Sequence, residues 1–284
     1  MRQLLAFTAL ALLAACAVPA PGPTPTGASA TARPADTATP DPTRAPSLAP
    51  SPTRPPCLAQ PGQIVEAELE DPALPRSLPY RVYLPACHAA LPQARFPTLY
   101  LLHGLAATDS QWDILGADEA AEALIAAGEG PPFLIVMPWE RKGLEYESAI
   151  VDFLVPAIDA AYQTRADREG RALGGISRGA GWALRIGIRH PDLFSALGLH
   201  SPAVIVPDLY YLPGWLQAVP AGQMPRLWID IGDHDVLLAS AGELTAVLDE
   251  AQVPYAWNLF TGYHEPAYWS AHVEEYLRWY SAGW

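Results

Sequence analysis

Five short, nearly unbroken apolar runs constrain this chain more than any other feature: TLYLLHG (98–104), PFLIVMP (132–138), RALGGIS (171–177), SALGLHS (195–201) and RLWIDIG (226–232). Strands covered on both faces read this way, because neither face can afford alternating polar residues. Between and after the runs lie stretches of helical period at about 111–128, 147–162, 178–190, 240–252 and 266–282. Strands that alternate with helices predict an α/β fold with one mostly parallel sheet and helices on both faces. Ahead of them, QIVEAELE (63–70) and LPYRVYL (78–84) alternate apolar and polar residues, as antiparallel edge strands do. The segment 202–225, rich in Pro, Tyr, Leu and Trp, has little periodicity. It reads as an insertion over the C-terminal edge of the sheet, where ligands bind in open α/β folds.

This pattern starts only near Cys57. Residues 16–56 are a Pro/Thr/Ala/Ser tract with almost nothing to bury, so ordering it would lose entropy without return. Its prolines favour extended segments, and it reads as a semi-rigid tether. The organisation expected is therefore a signal over 1–15, a tether over 16–56 and one folded domain over 57–284. Residues 1–15, MRQLLAFTALALLAA, carry one cation followed by an apolar run too short to span a bilayer, as a removable export signal does. The run ends in Leu13-Ala14-Ala15-Cys16, which resembles the lipobox of bacterial lipoproteins. That resemblance implies a diacylglycerol on Cys16, membrane attachment and a cell-envelope location; the alternative is an ordinary signal and a secreted soluble protein. If Cys16 carries lipid, Cys57 and Cys87 remain as a candidate disulfide in an oxidising compartment. Against 17 Lys and Arg stand 30 Asp and Glu, a net charge of −13, with no basic stripe. Such a surface repels phosphate backbones and argues against nucleic-acid binding.

Gly175-Ile176-Ser177-Arg178-Gly179 is a GxSxG match at the junction of a strand pattern and a helical pattern closed by Pro191. Alone the match says little. A sharp strand-to-helix turn, however, is the place where a Ser is held strained with its Oγ exposed. A Ser hydroxyl also needs a base, and in this kind of fold the order along the chain is Ser, acid, His. Downstream, His190 falls at the far end of the helical run. His200 ends a strand ahead of every candidate acid, and His272 lies inside the last helix as a surface residue. His264 sits in a Gly-containing loop between the final strand and that helix and is the expected base. Asp230, Asp233 and Asp235 cluster at the end of RLWIDIG; Asp230 is within the strand, and Asp235 is preferred over Asp233 for the acid. A tetrahedral intermediate would be held by the backbone N–H of Arg178 and that of Leu105, in the loop after TLYLLHG. His103 is read as packing and hydrogen-bonding under that loop.

Four ordered segments carry a wider resemblance: LLHGLAATDSQW, ALGGISRGAGWALRIGIRHPDLFSALGLHSPA, IDIGDHDVL and GYHEPAYWSAHVEEYLRWY. Together, over about 80–280, they look like the esterase D family of S-formylglutathione hydrolases, feruloyl and acetyl-xylan esterases, and mycolyltransferases. The resemblance implies an α/β-hydrolase fold, no metal or organic cofactor, and a triad at Ser177, Asp235 and His264, with oxyanion donors at Leu105 and Arg178. The family often has Met after the Ser, where this chain has Arg178, whose side chain is expected to restrict or charge the acyl pocket. The activity implied is hydrolysis of a small-molecule or polysaccharide-linked ester with a short or feruloyl acyl group. Bulky side chains between Val204 and Trp215 are expected to wall a short pocket. The alternatives are an acyltransferase of the mycolyltransferase type and a non-catalytic surface-binding module that keeps the fold.

Overall fold

The computed structural model describes residues 55–284. The export signal, Cys16 and nearly all of the tether lie outside the described residues.

Eight strands form one sheet: β1 (Gln63–Leu69), β2 (Leu78–Leu84), β3 (Thr98–Leu102), β4 (Leu134–Pro138), β5 (Arg171–Ile176), β6 (Ala196–His200), β7 (Arg226–Gly232) and β8 (Ala256–Phe260). Their order across the sheet is β1-β2-β4-β3-β5-β6-β7-β8. The pairs β1–β2 and β2–β4 are antiparallel, and every pair from β4 to β8 is parallel. The five apolar runs became β3 to β7, all of them interior strands. One expectation changes: of the two strands expected at an edge only β1 is one, since β2 is paired on both sides; the other edge is β8.

The helices are α1 (Ala86–Ala90), α2 (Gln111–Ile114), α3 (Ala117–Ala127), α4 (Tyr146–Ser148), α5 (Val155–Ala161), α6 (Arg178–Arg189), α7 (Asp208–Ala218), α8 (Leu238–Glu250) and α9 (Pro266–Ser281). Successive strand residues face opposite layers. Tyr100, Leu102, Leu173, Leu197 and Ile229 pack with Ile158, Leu184, Leu212 and Leu244 of α5 to α8. Leu99, Leu101, Ile135 and Ala172 pack with Ala121 and Leu124 of α3 and with Val273, Tyr276 and Leu277 of α9. This is the α/β architecture predicted, with helices on both faces.

Three helical expectations are corrected. The stretch 111–128 is two helices, because Gly116 turns left-handed at φ +88° between α2 and α3. The stretch 147–162 is helical throughout but takes π form over Ala149–Leu154. Pro156, one residue into α5, has no N–H for the carbonyl four residues back, and the turn before it widens. The segment 202–225 is not irregular, for it contains α7, which buries Leu212 and Leu216 beside α6 and α8. Asp208, the first residue of α7, is buried in a two-pronged pair with Arg185 of α6 (Nε–Oδ2 2.8 Å). A disulfide joins Cys57 to Cys87, tying the start of the described chain to α1. Among the described residues, no helix is long and apolar enough to cross a membrane.

Candidate active site

Ser177 occupies the turn from β5 into α6 with φ +55° and ψ −116°, a region that side chains avoid. Such strain costs on the order of 1–3 kcal/mol and persists only where the surroundings over-determine it. Here they do. The Ser177 N–H donates to the His200 carbonyl at the end of β6 (2.8 Å), and its own carbonyl accepts from Gly181 (3.1 Å) and Ala203 (3.0 Å). Gly179 has no room for a Cβ, which would run into the Leu102 and His103 carbonyls at the end of β3. The elbow is thus pressed against the loop that follows β3, and a Cβ on Gly104 would lie 3.7 Å from Ser177 Cβ.

His264 arrives from the loop between β8 and α9. Its Nε2 is 2.9 Å from Ser177 Oγ, and its Nδ1 is 2.8 and 3.1 Å from the two carboxylate oxygens of Asp235. A carboxylate only accepts, so Nδ1 carries the proton and Nε2 is left to receive one from the Ser hydroxyl. Asp235 is buried, and the Leu237 N–H holds its Oδ1 at 2.8 Å. The Trp269 ring meets His264 edge-on at 5.1 Å, walling the imidazole from behind. Asp233 points elsewhere: its carboxylate accepts the Gly262 N–H at 3.0 Å and shapes the base of the His264 loop. The structure therefore brings Asp235, and not Asp233, to His264.

The other histidines take separate places. His190 contacts Glu147 at 2.9 Å on the far end of α6. His200 is fully buried against Asp230. His272, read as a surface residue, is instead half-buried with its ring stacked on Phe260 at 4.1 Å. His103 is buried under the loop after β3, where its Nδ1 donates to the Gly104 carbonyl at 2.7 Å and its Nε2 accepts the Glu140 N–H at 2.8 Å.

Leu105 projects its side chain into solvent, 74% exposed. The Arg178 side chain is paired. It folds back onto Glu140 in a two-pronged ion pair (Nε–Oε2 2.8 Å) and lies 5.9 Å over the Trp182 ring. The hydrogen bonds to Glu140 hold the guanidinium above its usual pKa.

A cavity of about 250 Å³ opens beside the Leu105 loop, lined by Ala106, Ala107, Thr108, Ile114, Leu115 and Pro266 among others. A larger one, about 530 Å³, lies between α7 and α8; neither is lined by Ser177, Asp235 or His264. Two of the bulky side chains between 204 and 215 lie away from Ser177. Helix formation sends Leu212 into the core and leaves Tyr210 82% exposed. Sequence reasoning missed two residues at the site, Glu140 and Gln111; the latter accepts the Gly104 N–H at 2.7 Å. Both are polar residues just outside a strand or at a helix start, and no local pattern separates them from surface positions.

Comparison with known proteins bears on the fold and the family. An endo-1,4-beta-xylanase/feruloyl esterase of Xylanibacter ruminicola is 32% identical over 143 residues, which is 45% of this chain. The match spans only 20% of that relative's length. A solved ferulic acid esterase superposes with a TM-score of 0.72 at 24% identity, over 79% of this chain and all of that one. The S-formylglutathione hydrolase of Staphylococcus aureus gives a TM-score of 0.66 at 17% identity, over 78% of this chain and 98% of that one. At these identities the two likenesses speak for the fold. The family described as "Putative esterase" matches residues 72–280, nearly the whole of the folded region, and the chain belongs to that family of esterases.

Proposed function

We propose that this protein hydrolyses carboxylic esters through an acyl-enzyme on Ser177. The observation that carries the reading is the run of contacts from Ser177 Oγ to His264 Nε2 and from His264 Nδ1 to Asp235, with the Ser held in a strained turn. His264 takes the hydroxyl proton as Oγ attacks the ester carbonyl, and Asp235 fixes the tautomer and stabilises the imidazolium. The backbone N–H groups of Leu105 and Arg178 receive the oxyanion, and His264 returns the proton to the departing alcohol. Water, activated by the same His, then releases the acid. No step requires a metal or an organic cofactor.

The substrate proposed is an ester with a short or feruloyl acyl group, on a small molecule or a polysaccharide. The xylanase/feruloyl esterase relative supports the feruloyl arm. A panel of acetyl, butyryl, long-chain and feruloyl esters tests this; a preference for long acyl chains would refute it. We further propose that residues 1–15 direct export, that Cys16 is lipidated, and that 16–56 tether the 57–284 domain to the cell envelope. Fatty-acid labelling that survives Cys16→Ala would overturn the anchor.

A further inference from the structure

The carbonyl of Gly104 and the N–H of Leu105 belong to one trans peptide, so they point in opposite directions. Whatever holds that carbonyl therefore aims that N–H. Two donors hold it: His103 Nδ1 at 2.7 Å from beneath the loop, and the Ala107 N–H at 3.2 Å. With the carbonyl turned down onto the buried imidazole, the Leu105 N–H is turned the opposite way, in a loop whose Gly104 lies against Ser177.

The same imidazole continues in the other direction. Its Nε2 accepts the backbone N–H of Glu140, and the Glu140 carboxylate grips the Arg178 guanidinium. Arg178 supplies the second oxyanion N–H through its backbone. A chain of hydrogen bonds thus runs from one donor peptide to the residue bearing the other: Gly104–Leu105, His103, Glu140, Arg178. It needs the neutral Nδ1–H tautomer, because an imidazolium would set a second N–H against that of Glu140. Burial favours that neutral form by pushing the His103 pKa below the usual imidazole range.

We propose that His103 is a positioning residue for the oxyanion hole, orienting the Gly104–Leu105 peptide and, through Glu140, coupling it to Arg178. The inference rests on the esterase reading above. It assigns His103 no contact with the substrate; it acts on the geometry of the donors.

The test compares wild type, Ser177→Ala, His103→Phe, His103→Asn and Glu140→Gln on a p-nitrophenyl ester. Each is also measured for affinity toward an aryl boronic acid, whose tetrahedral adduct needs the same hole, and for thermal unfolding. His103→Phe should lower kcat about 10- to 100-fold, less than outright removal of an oxyanion donor, with KM within about threefold. Boronate affinity should fall in parallel. His103→Asn keeps an N–H where Nδ1 was and should recover most of the loss. Glu140→Gln, which breaks only the charge pair, should lower kcat a few-fold and boronate affinity with it. The proposal is overturned if folded His103→Phe keeps kcat within threefold of wild type, or if His103→Asn is as slow as His103→Phe. Should His103→Phe not fold, an unchanged kcat in Glu140→Gln or a His103→Asn as slow as Ser177→Ala overturns it instead. An inactive wild type would count against the esterase reading; an active wild type with unaffected His103 variants counts against this inference alone.

Discussion

Two Asp–His pairs lie at the end of the same parallel strands, and they are nearly the same object chemically. In one, Asp235 holds His264 Nδ1 at 2.8 Å and His264 Nε2 faces Ser177 Oγ at 2.9 Å. In the other, Asp230 holds His200 Nδ1 at 2.6 Å and His200 Nε2 faces Tyr280 Oη at 3.1 Å. Both are acid, imidazole and hydroxyl in line. What differs is access and saturation. His264 keeps a fifth of its side chain exposed, whereas His200 and Asp230 have none. The Asp230 carboxylate also accepts from Trp228 Nε1 (2.9 Å), Tyr268 Oη (2.9 Å) and Tyr276 Oη (2.8 Å). Burial and the Asp230 charge drive the Tyr280 phenol well above its usual pKa. Fully buried, that hydroxyl has nothing to attack. On the esterase reading proposed above, reactivity comes from an open face and nearby oxyanion donors, not from the carboxylate–imidazole pair alone.

The comparison can be broken by removing each part in turn. Ser177→Ala should lower kcat by about four to six orders of magnitude while the protein unfolds at its normal temperature. Full activity in that variant, or its loss on chelating metals from wild type, sinks the distinction at its root. Next, Asp235→Asn should lower kcat by about 10³ to 10⁴, because His264 takes the wrong tautomer, with KM little changed. Asp230→Asn should act on stability instead. It leaves one acceptor oxygen where the carboxylate served four donors, at a cost of about 3 kcal/mol. For a domain of this size that lowers Tm by about 6–12 °C. Its kcat per folded molecule should stay within about tenfold, and a loss matching that of Asp235→Asn would make the two pairs functionally alike. Tyr276→Phe removes a single donor and should cost about 1–2 kcal/mol in urea unfolding, again without a catalytic phenotype. The smallest effect belongs to Asp233→Asn. Its exposed carboxylate holds only the rim of the His264 loop, so stability should fall by about 1 kcal/mol or less and kcat by no more than a few-fold.

How visible each pair is in the sequence follows from what defines it. Ser177 announces itself because the elbow needs glycines at fixed offsets within five residues. The strands β3 to β7 announce themselves because double-sided burial leaves few polar residues. Asp230 is different: its only local trace is one acid in the middle of the run RLWIDIG. Its partners Tyr268, Tyr276 and Tyr280 do recur at multiples of four along α9, a stripe that marks one helix face. Nothing in that stripe says which strand it meets. Helix α7 was illegible for a related reason. Pro213 sits inside it, and it is held by Leu212 and Leu216 in the core and by Asp208 against Arg185, all contacts from outside the segment. His103 could be read as lying under its loop, but the Glu140 that completes its environment comes from 37 residues away.

The Asp230 cluster also dictates an order of assembly. Strand β7 carries a charge into the buried interior, and two of the hydroxyls that make its burial tolerable, Tyr268 and Tyr276, belong to the last helix. During synthesis at about 5–20 residues per second, several seconds separate that carboxylate from its final partner. Until then water is its best solvent, so β7 has reason to stay out of the sheet, and β8 beyond it has nothing to pair with. The six strands β1 to β6 can gather early; the last two, β7 and β8, which lead to Asp235 and His264, close only when α9 arrives. The catalytic groups proposed here are thus the last to meet, and a chain that stays open until its final helix is made suits the export route proposed above.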